Sequence, residues 1–254
     1  MVPDLGVDGD FVEGLAPAFR RLRKYCRLEV EGIDRIPPGP CVLVSNHTGW
    51  LGLDYGLLCL VLWDDARRIP RGAVHPTFFR LAGTRAWAEK LGLFEASVGR
   101  SLAILDDRET AAHATGGRKG GVVCFFPEGE EGNFKPISER YRLQEFKPGF
   151  ARVALAAKVP VVPVVIVGGE DANPSLARID ATRDTLGLSL PVPLNLFPFP
   201  VKWRIAFMDP IDPHDVLARA DVDEDVPLRL ARELQITMQA EVDRQLAIRG
   251  HPVF

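Results

Sequence analysis

The sequence predicts an α/β fold in which helices flank a central sheet that is largely parallel or mixed. Two segments, residues 121–126 and 161–167, are uninterrupted apolar runs, which are typical of strands buried on both faces. Helical patterns of about ten to fifteen residues lie between the strand signals, and this alternation favours helices packed against the sheet. The chain has 254 residues, of which 46% are hydrophobic, so it can enclose a core of this kind.

Helix and strand signals alternate through the first half of the chain. Phe11, Leu15, Phe19 and Leu22 recur at helical spacing, which predicts an N-terminal helix within residues 1–26. The elements predicted after it are strands over residues 27–31 and 41–45, a helix over 53–63, a strand over 69–74, and helices over 76–91 and 99–114.

The second half continues this pattern around one long loop. The predicted elements are strands over residues 121–126, 161–167 and 202–207, and helices over 148–158 and 227–249. The loop over residues 130–147 is long for a compact domain, and loops of that length are usually functional. We therefore divide the chain into the N-terminal helix and one domain over residues 27–254.

The predicted N-terminal helix is strongly basic. Its cationic residues, counting one just beyond it, are Arg20, Arg21, Arg23, Lys24 and Arg27. A basic amphipathic helix can lie on an anionic membrane surface. Alternatively, the helix packs its apolar side on the core and leaves its arginines in solvent. The sequence leaves both interpretations open.

No segment of the sequence is predicted to span a membrane. The longest apolar run, residues 55–63, is far shorter than the ~20 residues that a bilayer requires. Residues 1–14 are acidic and lack the apolar run of a signal peptide. We therefore expect a cytoplasmic protein whose contact with lipid is peripheral, at the inner face of the membrane.

Charge and residue usage argue against several classes of protein. The net charge of −3 is unlike that of a nucleic-acid-binding protein. The 4 cysteines form no Cys-x-x-Cys pair and the 5 histidines have no metal-ligand spacing, so we expect reduced thiols and no metal site. The motifs of serine hydrolases and of phosphate-binding glycine loops are missing.

A histidine and a carboxylate follow the strand predicted over residues 41–45. His47 stands just beyond the carboxyl end of that strand, where ligands gather in open α/β sheets, and Asp54 follows 7 positions later. A carboxylate that bonds one imidazole nitrogen leaves the other nitrogen able to take a proton from a hydroxyl group. The alternative is a histidine that caps a helix and an aspartate that is a surface charge.

A second carboxylate, Glu128, follows the next buried strand. It stands in the sequence Phe-Pro-Glu-Gly, again just past the carboxyl end of a strand. The alternative interpretation is that this segment is merely a turn. The long loop that comes after it favours a functional role.

Four motifs in order resemble the glycerolipid acyltransferases, the lysophospholipid (phosphatidate-synthesising) acyltransferase family. The motifs are Asn46-His47 with a following Asp, the pair Gly99-Arg100, the segment Phe126-Pro127-Glu128-Gly129, and a Val-Pro-Val-Val-Pro-Val run at residues 159–164. The similarity extends over about residues 37–210. Residues 141–146, 149–150 and 167–170 also look like a bacterial subgroup similar to the transmembrane-protein-68 and diacylglycerol-acyltransferase branch.

This chain departs from the family pattern at three places. Gly52 stands where most members have Asp, so Asp54 takes that role at the longer spacing of the subgroup. The block that contains Arg100 matches only loosely. Glu130 and Glu131 follow Phe-Pro-Glu-Gly where Thr or Ser and then Arg are common, and their negative charges repel a phosphate. This favours a neutral or zwitterionic acceptor.

The resemblance implies an α/β sandwich like that of glycerol-phosphate acyltransferases and an O-acyltransferase activity. In that scheme His47 is the general base, Asp54 orients it, and a fatty acyl group passes from acyl-CoA or acyl carrier protein to the hydroxyl of a glycerolipid-type acceptor. The resemblance further implies no metal or cofactor. The substrate-binding residues it implies are Asn46, Arg100, Glu128 and Gly129.

Two other functions stay open, and so does the site of the acyl chain. The His–Asp pair can activate water, as in a thioester hydrolase, or the chain can be a lipid-binding module without catalysis. Candidate walls for an acyl chain are the helix over residues 55–63, Phe78, Phe79 and Trp87, with core packing as the alternative. Residues 194–201 combine apolar side chains with two internal prolines, which predicts an exposed loop able to enter a lipid interface.

Overall fold

Short strands and helices alternate along the computed structural model, which describes residues 9–49, 52–79, 82–106, 121–182, 189–219 and 225–253. The strands are β1 (Glu29–Glu31), β2 (Cys41–Ser45), β3 (Pro70–Val74), β4 (Phe94–Glu95), β5 (Val122–Phe125), β6 (Val161–Val167), β7 (Ser175–Ile179), β8 (Leu190–Pro193) and β9 (Arg204–Phe207). The helices are α1 (Gly9–Tyr25), α2 (Leu53–Ala66), α3 (Ala82–Lys90), α4 (Val98–Asp106), α5 (Glu130–Asn133), α6 (Gly149–Ala157), α7 (Gly169–Ala172), α8 (Pro213–Leu217) and α9 (Val226–Arg249).

Seven of these strands form the central sheet, in the order β1-β9-β6-β2-β5-β3-β4. β6, β2, β5, β3 and β4 run parallel to one another, whereas β9 is antiparallel to β6 and β1 is parallel to β9. The carboxyl ends of the five parallel strands therefore meet at one edge, which we call the carboxyl edge. The mixed, largely parallel α/β sheet predicted from the sequence is confirmed.

The sheet separates two hydrophobic cores because its central strands are buried on both faces. In β2, Val42 and Val44 face a core that includes α6 and α9, while Cys41 and Leu43 face a core that includes α2. Every residue of β2 and β6 is buried. The alternation of side chains along a strand explains why an uninterrupted apolar run is needed here.

The N-terminal helix α1 packs against α2. Phe19 and Leu22 contact the core on the α2 side of the sheet. Arg20 forms a bidentate ion pair with Asp64, and Arg23 forms another with Asp65, both near the end of α2. Part of the basic character of α1 is therefore used to hold the helix on the domain.

Several elements differ from the sequence predictions. The helix predicted over residues 76–91 is a 3-10 turn, Pro76–Phe79, with α3 as a separate helix, and the helix predicted over 99–114 is α4, whose predicted end lies outside the described residues. The hairpin of β7 and β8 was not predicted; neither were β4 and the short helices α5, α7 and α8. Among the described helices, none is both long and apolar enough to cross a membrane.

Candidate active site

The predicted histidine and aspartate meet at the carboxyl edge of the sheet. His47 follows the end of β2, Asp54 lies in the first turn of α2, and His47 Nδ1 is 3.0 Å from Asp54 Oδ2. Asp54 is fully buried, and its carboxylate also accepts hydrogen bonds from the backbone N–H groups of Thr48 (3.0 Å) and Tyr55 (2.8 Å). An ionised carboxylate only accepts hydrogen bonds, so Nδ1 carries the proton and Nε2 has a lone pair.

The imidazole ring of His47 is held in one plane. Phe126, which follows β5, stacks on it with ring centroids 4.2 Å apart and planes 16° apart. Tyr55 in turn meets the edge of Phe126 at 6.2 Å. The His47 side chain is 18% exposed, and none of the described residues forms a hydrogen bond with Nε2. The ring therefore has a fixed orientation and one nitrogen available to a substrate.

Asn46 joins the active-site turn to the neighbouring strand. Its side-chain amide donates to the carbonyl oxygen of Ile166 (2.9 Å), and its side-chain oxygen accepts from the N–H of Ile166 (2.8 Å). Asn46 thus imitates one more residue pair of the β2–β6 ladder. Because its side chain is buried and bonded at both ends, Asn46 supports the backbone of His47 from within, and the substrate-binding role that the resemblance implies for it stays a prediction.

Glu128 also lies behind His47 rather than in front of it. It is fully buried, and its carboxylate accepts hydrogen bonds from the backbone N–H groups of His47 (3.0 Å) and Gln144 (2.7 Å). A Cβ at Gly132 would lie 2.4 Å from the Cβ of Glu128, so this carboxylate fits only because residue 132 is glycine. The geometry fixes the backbone of His47 through the Glu128 carboxylate, and the substrate-binding role that the resemblance implies for Glu128 stays a prediction.

A buried lysine links Glu128 to a third carboxylate. The Lys135 ammonium, whose side chain is 2% exposed, lies 3.5 Å from Glu128 Oε2 and 2.9 Å from Glu170 Oε1, and it donates to the carbonyl oxygen of Arg142 (3.1 Å). Burial lowers the pKa of Lys135, but Glu128 and Glu170 outweigh this effect and raise it overall. Lys135 is therefore charged and balances two acids beneath the site.

Glu170 connects this buried group to the loop after His47. Its carboxylate accepts a hydrogen bond from the N–H of Tyr141, and its own N–H donates to Thr48 Oγ1 at 3.2 Å. Burial raises the pKa of Glu170, and Lys135 partly opposes that effect. The backbones also touch, because a Cβ at Gly169 would lie 2.0 Å from the carbonyl oxygen of Thr48. α7 is thus in direct contact with the active-site loop.

The two acids after Phe-Pro-Glu-Gly are both engaged by neighbours. Gly129 precedes them with φ 63°, a backbone conformation that glycine adopts readily. Glu131 forms an ion pair with Lys147 (3.2 Å), and Glu130 accepts a hydrogen bond from the N–H of Ser189 (2.8 Å). Burial raises the pKa of Glu131, while its own backbone N–H and Lys147 lower it overall. Because both acids have partners, Glu130 and Glu131 repel a phosphate less strongly than the sequence alone suggests.

Arg100 is the predicted site residue that lies apart from the others. It is exposed near the start of α4, which follows β4 at the carboxyl edge. β4 is three strands from β2, a lateral distance of about 14 Å. Among the residues that the structure describes, no hydrogen bond or ion pair joins Arg100 to His47 or Asp54.

The cysteines are not reactive groups of this site. Burial raises the pKa of Cys41 and of Cys59 to about 12 and that of Cys26 to about 11, and it also raises the pKa of Cys124. All four are free thiols. At neutral pH they are protonated, which fits the prediction of reduced core cysteines.

The helix proposed as a wall for the acyl chain is mainly core. Leu57, Leu58, Val61 and Leu62 of α2 are fully buried against the sheet. Trp87 is exposed and meets Phe11 edge to face at 5.2 Å. For α2, the structure therefore supports core packing, which was the alternative to a wall for the acyl chain.

A groove and a narrow cleft flank the buried carboxylates. The groove has a volume of about 850 Å³ and includes Tyr141, Asp171 and Arg249 in its walls. The cleft includes Gly49 and Lys135, and Arg140 lines both. The cleft therefore begins two residues from His47 in sequence, and the His47 side chain itself is 18% exposed.

A model of the family described as Acyltransferase matches residues 27–167, more than half of the chain. The chain belongs to the acyltransferase family. The family resemblance predicted from the motifs and the enzyme class are confirmed. Membership in the subgroup near transmembrane protein 68 stays a prediction.

The similarity of this acyltransferase to several known proteins extends over most of its length. An uncharacterized protein of Mycobacterium leprae (strain TN) is 32% identical over 268 residues, which cover 100% of this chain and 70% of that protein. A Gallus gallus protein named "DGAT1/2-independent enzyme synthesizing storage lipids" is 26% identical over 88% of this chain and 61% of its own length. The crystal structure of the 1-acyl-sn-glycerophosphate acyltransferase PlsC from Thermotoga maritima matches 93% of this chain and 80% of its own, with a TM-score of 0.59 and 18% identity, a likeness of fold.

Sequence reasoning missed the residues that support the site from below. Lys135, Glu170, Thr48 and Gly132 carry this support. The segment that contains Glu170 belongs to the subgroup similarity noted above, which was the available signal for it. Nothing local in the sequence distinguishes Lys135 from a surface lysine.

Proposed function

We propose that this acyltransferase transfers a fatty acyl group from a thioester, acyl-CoA or acyl carrier protein, to the hydroxyl of a glycerolipid-type acceptor. The observation that carries the proposal is the contact of 3.0 Å between His47 Nδ1 and Asp54 Oδ2, which leaves Nε2 as a base at the carboxyl edge. The Gallus gallus relative, whose name refers to storage lipids, supports a lipid acceptor.

In the proposed reaction, His47 Nε2 accepts the proton of the acceptor hydroxyl as its oxygen attacks the thioester carbonyl carbon. The resulting tetrahedral intermediate collapses by breaking the C–S bond. The leaving thiolate then receives from Nε2 the proton that came from the acceptor hydroxyl and departs as a thiol. Asp54 keeps Nδ1 protonated and stabilises the imidazolium between these steps. Neither a metal nor a cofactor enters this scheme.

We infer a neutral or zwitterionic acceptor at the inner face of a membrane in the cytoplasm. Glu130 and Glu131 stand where classical members of the resembling family often carry Thr or Ser and Arg, so this chain lacks a cation there for a phosphate. Although Lys147 and Ser189 engage the two acids, no net positive charge results. Asn46, Arg100, Glu128 and Gly129 stay candidate substrate-binding residues.

The test compares purified wild type with His47→Ala and Asp54→Asn, using a labelled acyl group on CoA and on acyl carrier protein. Acceptors are lysophosphatidate, monoacylglycerol, diacylglycerol and a long-chain alcohol. We expect both variants to lose about 10²–10⁴-fold in rate while their circular dichroism is unchanged. His214→Ala is the control and should retain the rate, because His214 lies in α8, just after Ile211, which pairs with Val161 at the amino end of β6.

The products separate the proposal from its rivals. Free fatty acid in place of acylated lipid would identify a thioester hydrolase, and acyl-chain binding without turnover would identify a binding module. Retained acyl transfer in the His47→Ala variant would refute the role of His47 as the general base. Equal use of lysophosphatidate and monoacylglycerol would refute the inferred acceptor class.

A further inference from the structure

We propose that one exposed apolar surface docks the carboxyl edge of this enzyme onto an anionic lipid bilayer. The surface, which we call the apolar rim, consists of Leu194, Leu196, Phe197, Phe199 and Tyr25. The inference deepens the proposed function, on which it rests, by naming the surface through which the enzyme reaches a lipid acceptor.

The apolar rim exposes large side chains that a water-facing loop does not need. Phe197 is 84% exposed and Leu196 is 71% exposed, and Leu194 and Phe199 beside them are exposed as well. Tyr25, at the end of α1, joins them through its hydroxyl, which donates to the carbonyl oxygen of Pro198 at 2.9 Å. Contiguous exposed apolar side chains of this kind mark interaction sites.

Hydrogen bonds to the domain fix the backbone of the loop in the apolar rim, and its large side chains are exposed to solvent. The carbonyl oxygen of Ala172 accepts hydrogen bonds from the N–H of Phe199 and the side-chain amide of Asn195, both at 2.8 Å. The N–H of Leu194 donates to the carbonyl oxygen of Pro174 at 2.9 Å. A tethered loop loses less conformational freedom than a floppy one when it enters an interface.

The same tether places the apolar rim beside the catalytic pair. Ala172 ends α7, and α7 begins at Gly169, which touches the backbone of Thr48, the residue after His47. Tyr25, the other part of the rim, is followed by Cys26, whose carbonyl oxygen accepts a hydrogen bond from the N–H of Trp203. Trp203 directly precedes β9, and the amino end of β9 pairs with the carboxyl end of β6. Both parts of the rim therefore lie at the carboxyl edge.

The charge next to the apolar rim selects a lipid surface with anionic headgroups. Arg21, Lys24 and Tyr25 are spaced by three and four positions, so they share one face of α1. Arg21 and Lys24 are exposed and have no ion pair with any residue that the structure describes. Aromatic and apolar side chains flanked by cations are the pattern of a helix or loop that lies in a membrane interface.

The test measures flotation of the full chain with vesicles of phosphatidylcholine, with and without phosphatidylglycerol. The Leu196→Ser/Phe197→Ser variant should partition about 30-fold more weakly than wild type. The Arg21→Glu/Lys24→Glu variant should lose the increase in vesicle binding that phosphatidylglycerol gives to the wild type. Ile236→Ser is the matched control, because Ile236 is 72% exposed on α9, which packs against the other core.

Turnover of a water-soluble short-chain acceptor separates this inference from the proposed function. We expect Leu196→Ser/Phe197→Ser to retain that turnover and to lose turnover of acceptors in vesicles. Absence of all acyl transfer would refute the proposed function, whereas vesicle binding would still report on the rim. Equal partitioning of the variant and wild type, or a dimer of this chain that the same variant disperses, would overturn the inference.

Discussion

Replacement of Lys135 by methionine removes a buried cation behind His47 and leaves the shape of the side chain nearly unchanged. The ammonium lies 2.9 Å from Glu170 Oε1 and 3.5 Å from Glu128 Oε2. At an effective dielectric constant of about 20, each contact is worth about 5 kcal/mol before the desolvation of the lysine is subtracted. Because two buried carboxylates then lack a counter-ion, we expect a net loss of about 3–5 kcal/mol of unfolding free energy.

The assay is urea denaturation followed by circular dichroism at several pH values. Loss of Lys135 removes the group that opposes the burial effect on Glu170, so the pKa of Glu170 rises further above its usual value of 4.5. A carboxyl group with a raised pKa stabilises the folded state at low pH and loses that contribution as pH rises. The deficit of Lys135→Met should therefore be smallest near about pH 5 and grow toward about pH 8.

Two further variants control the Lys135 measurement. Addition of Glu170→Gln to Lys135→Met should restore part of the stability, because only Glu128 then lacks a counter-ion and its carboxylate keeps the N–H groups of His47 and Gln144 as donors. Lys147→Met removes an exposed ion pair with Glu131 and should cost less than about 1 kcal/mol. A loss below about 1 kcal/mol for Lys135→Met, or no rescue by the glutamine, would refute the reasoning.

Two other predictions concern β2 and the turn after it. Asn46→Asp replaces the donor to the Ile166 carbonyl oxygen with a buried carboxylate, so urea denaturation should show a loss of about 1–3 kcal/mol and the variant should lose acyl transfer. Burial raises the pKa of Cys41 from 9.0 to about 12, so the unfolded thiol ionises first and stability falls as pH rises between these values. Cys41→Ala should therefore give a shallower fall, by up to about 1.4 kcal/mol per pH unit.

Each of these two outcomes has a clear contrary result. Wild-type stability in Asn46→Asp would mean that the ladder extension to Ile166 contributes nothing. Parallel curves of unfolding free energy against pH for wild type and Cys41→Ala, from about pH 9 to 11, would mean that the folded protein ionises this thiol as readily as the unfolded chain does.

The sequence was sufficient wherever burial is continuous along the chain. β2 and β6 begin and end at the predicted residues because strands covered on both faces must be apolar throughout. The contact of His47 with Asp54 was also predictable, since the end of a parallel strand and the start of the next helix meet at one edge. Both inferences use only neighbours in sequence and the period of the backbone.

The rest depends on partners that are distant in sequence. The two-residue strand β4 and the four-residue helix α7 are too short for any periodic pattern. Lys135 looks like a surface lysine until Glu170, 35 positions later, is brought to 2.9 Å. The sequence places Glu128 after a strand but does not reveal that its carboxylate turns to the N–H groups of His47 and Gln144.

The amide of Asn46 makes the turn that carries His47 a continuation of the sheet. Since this amide completes both backbone bonds of Ile166, the imidazole is anchored to the central strand β2 and to its neighbour β6, and strands at the centre of such a fold are among the last parts to loosen. In the proposed mechanism the base is consequently a stationary element, and reacting molecules must be brought to it. Differences in substrate choice between related enzymes should then arise from the surrounding segments, which can change without disturbing the position of the proton acceptor.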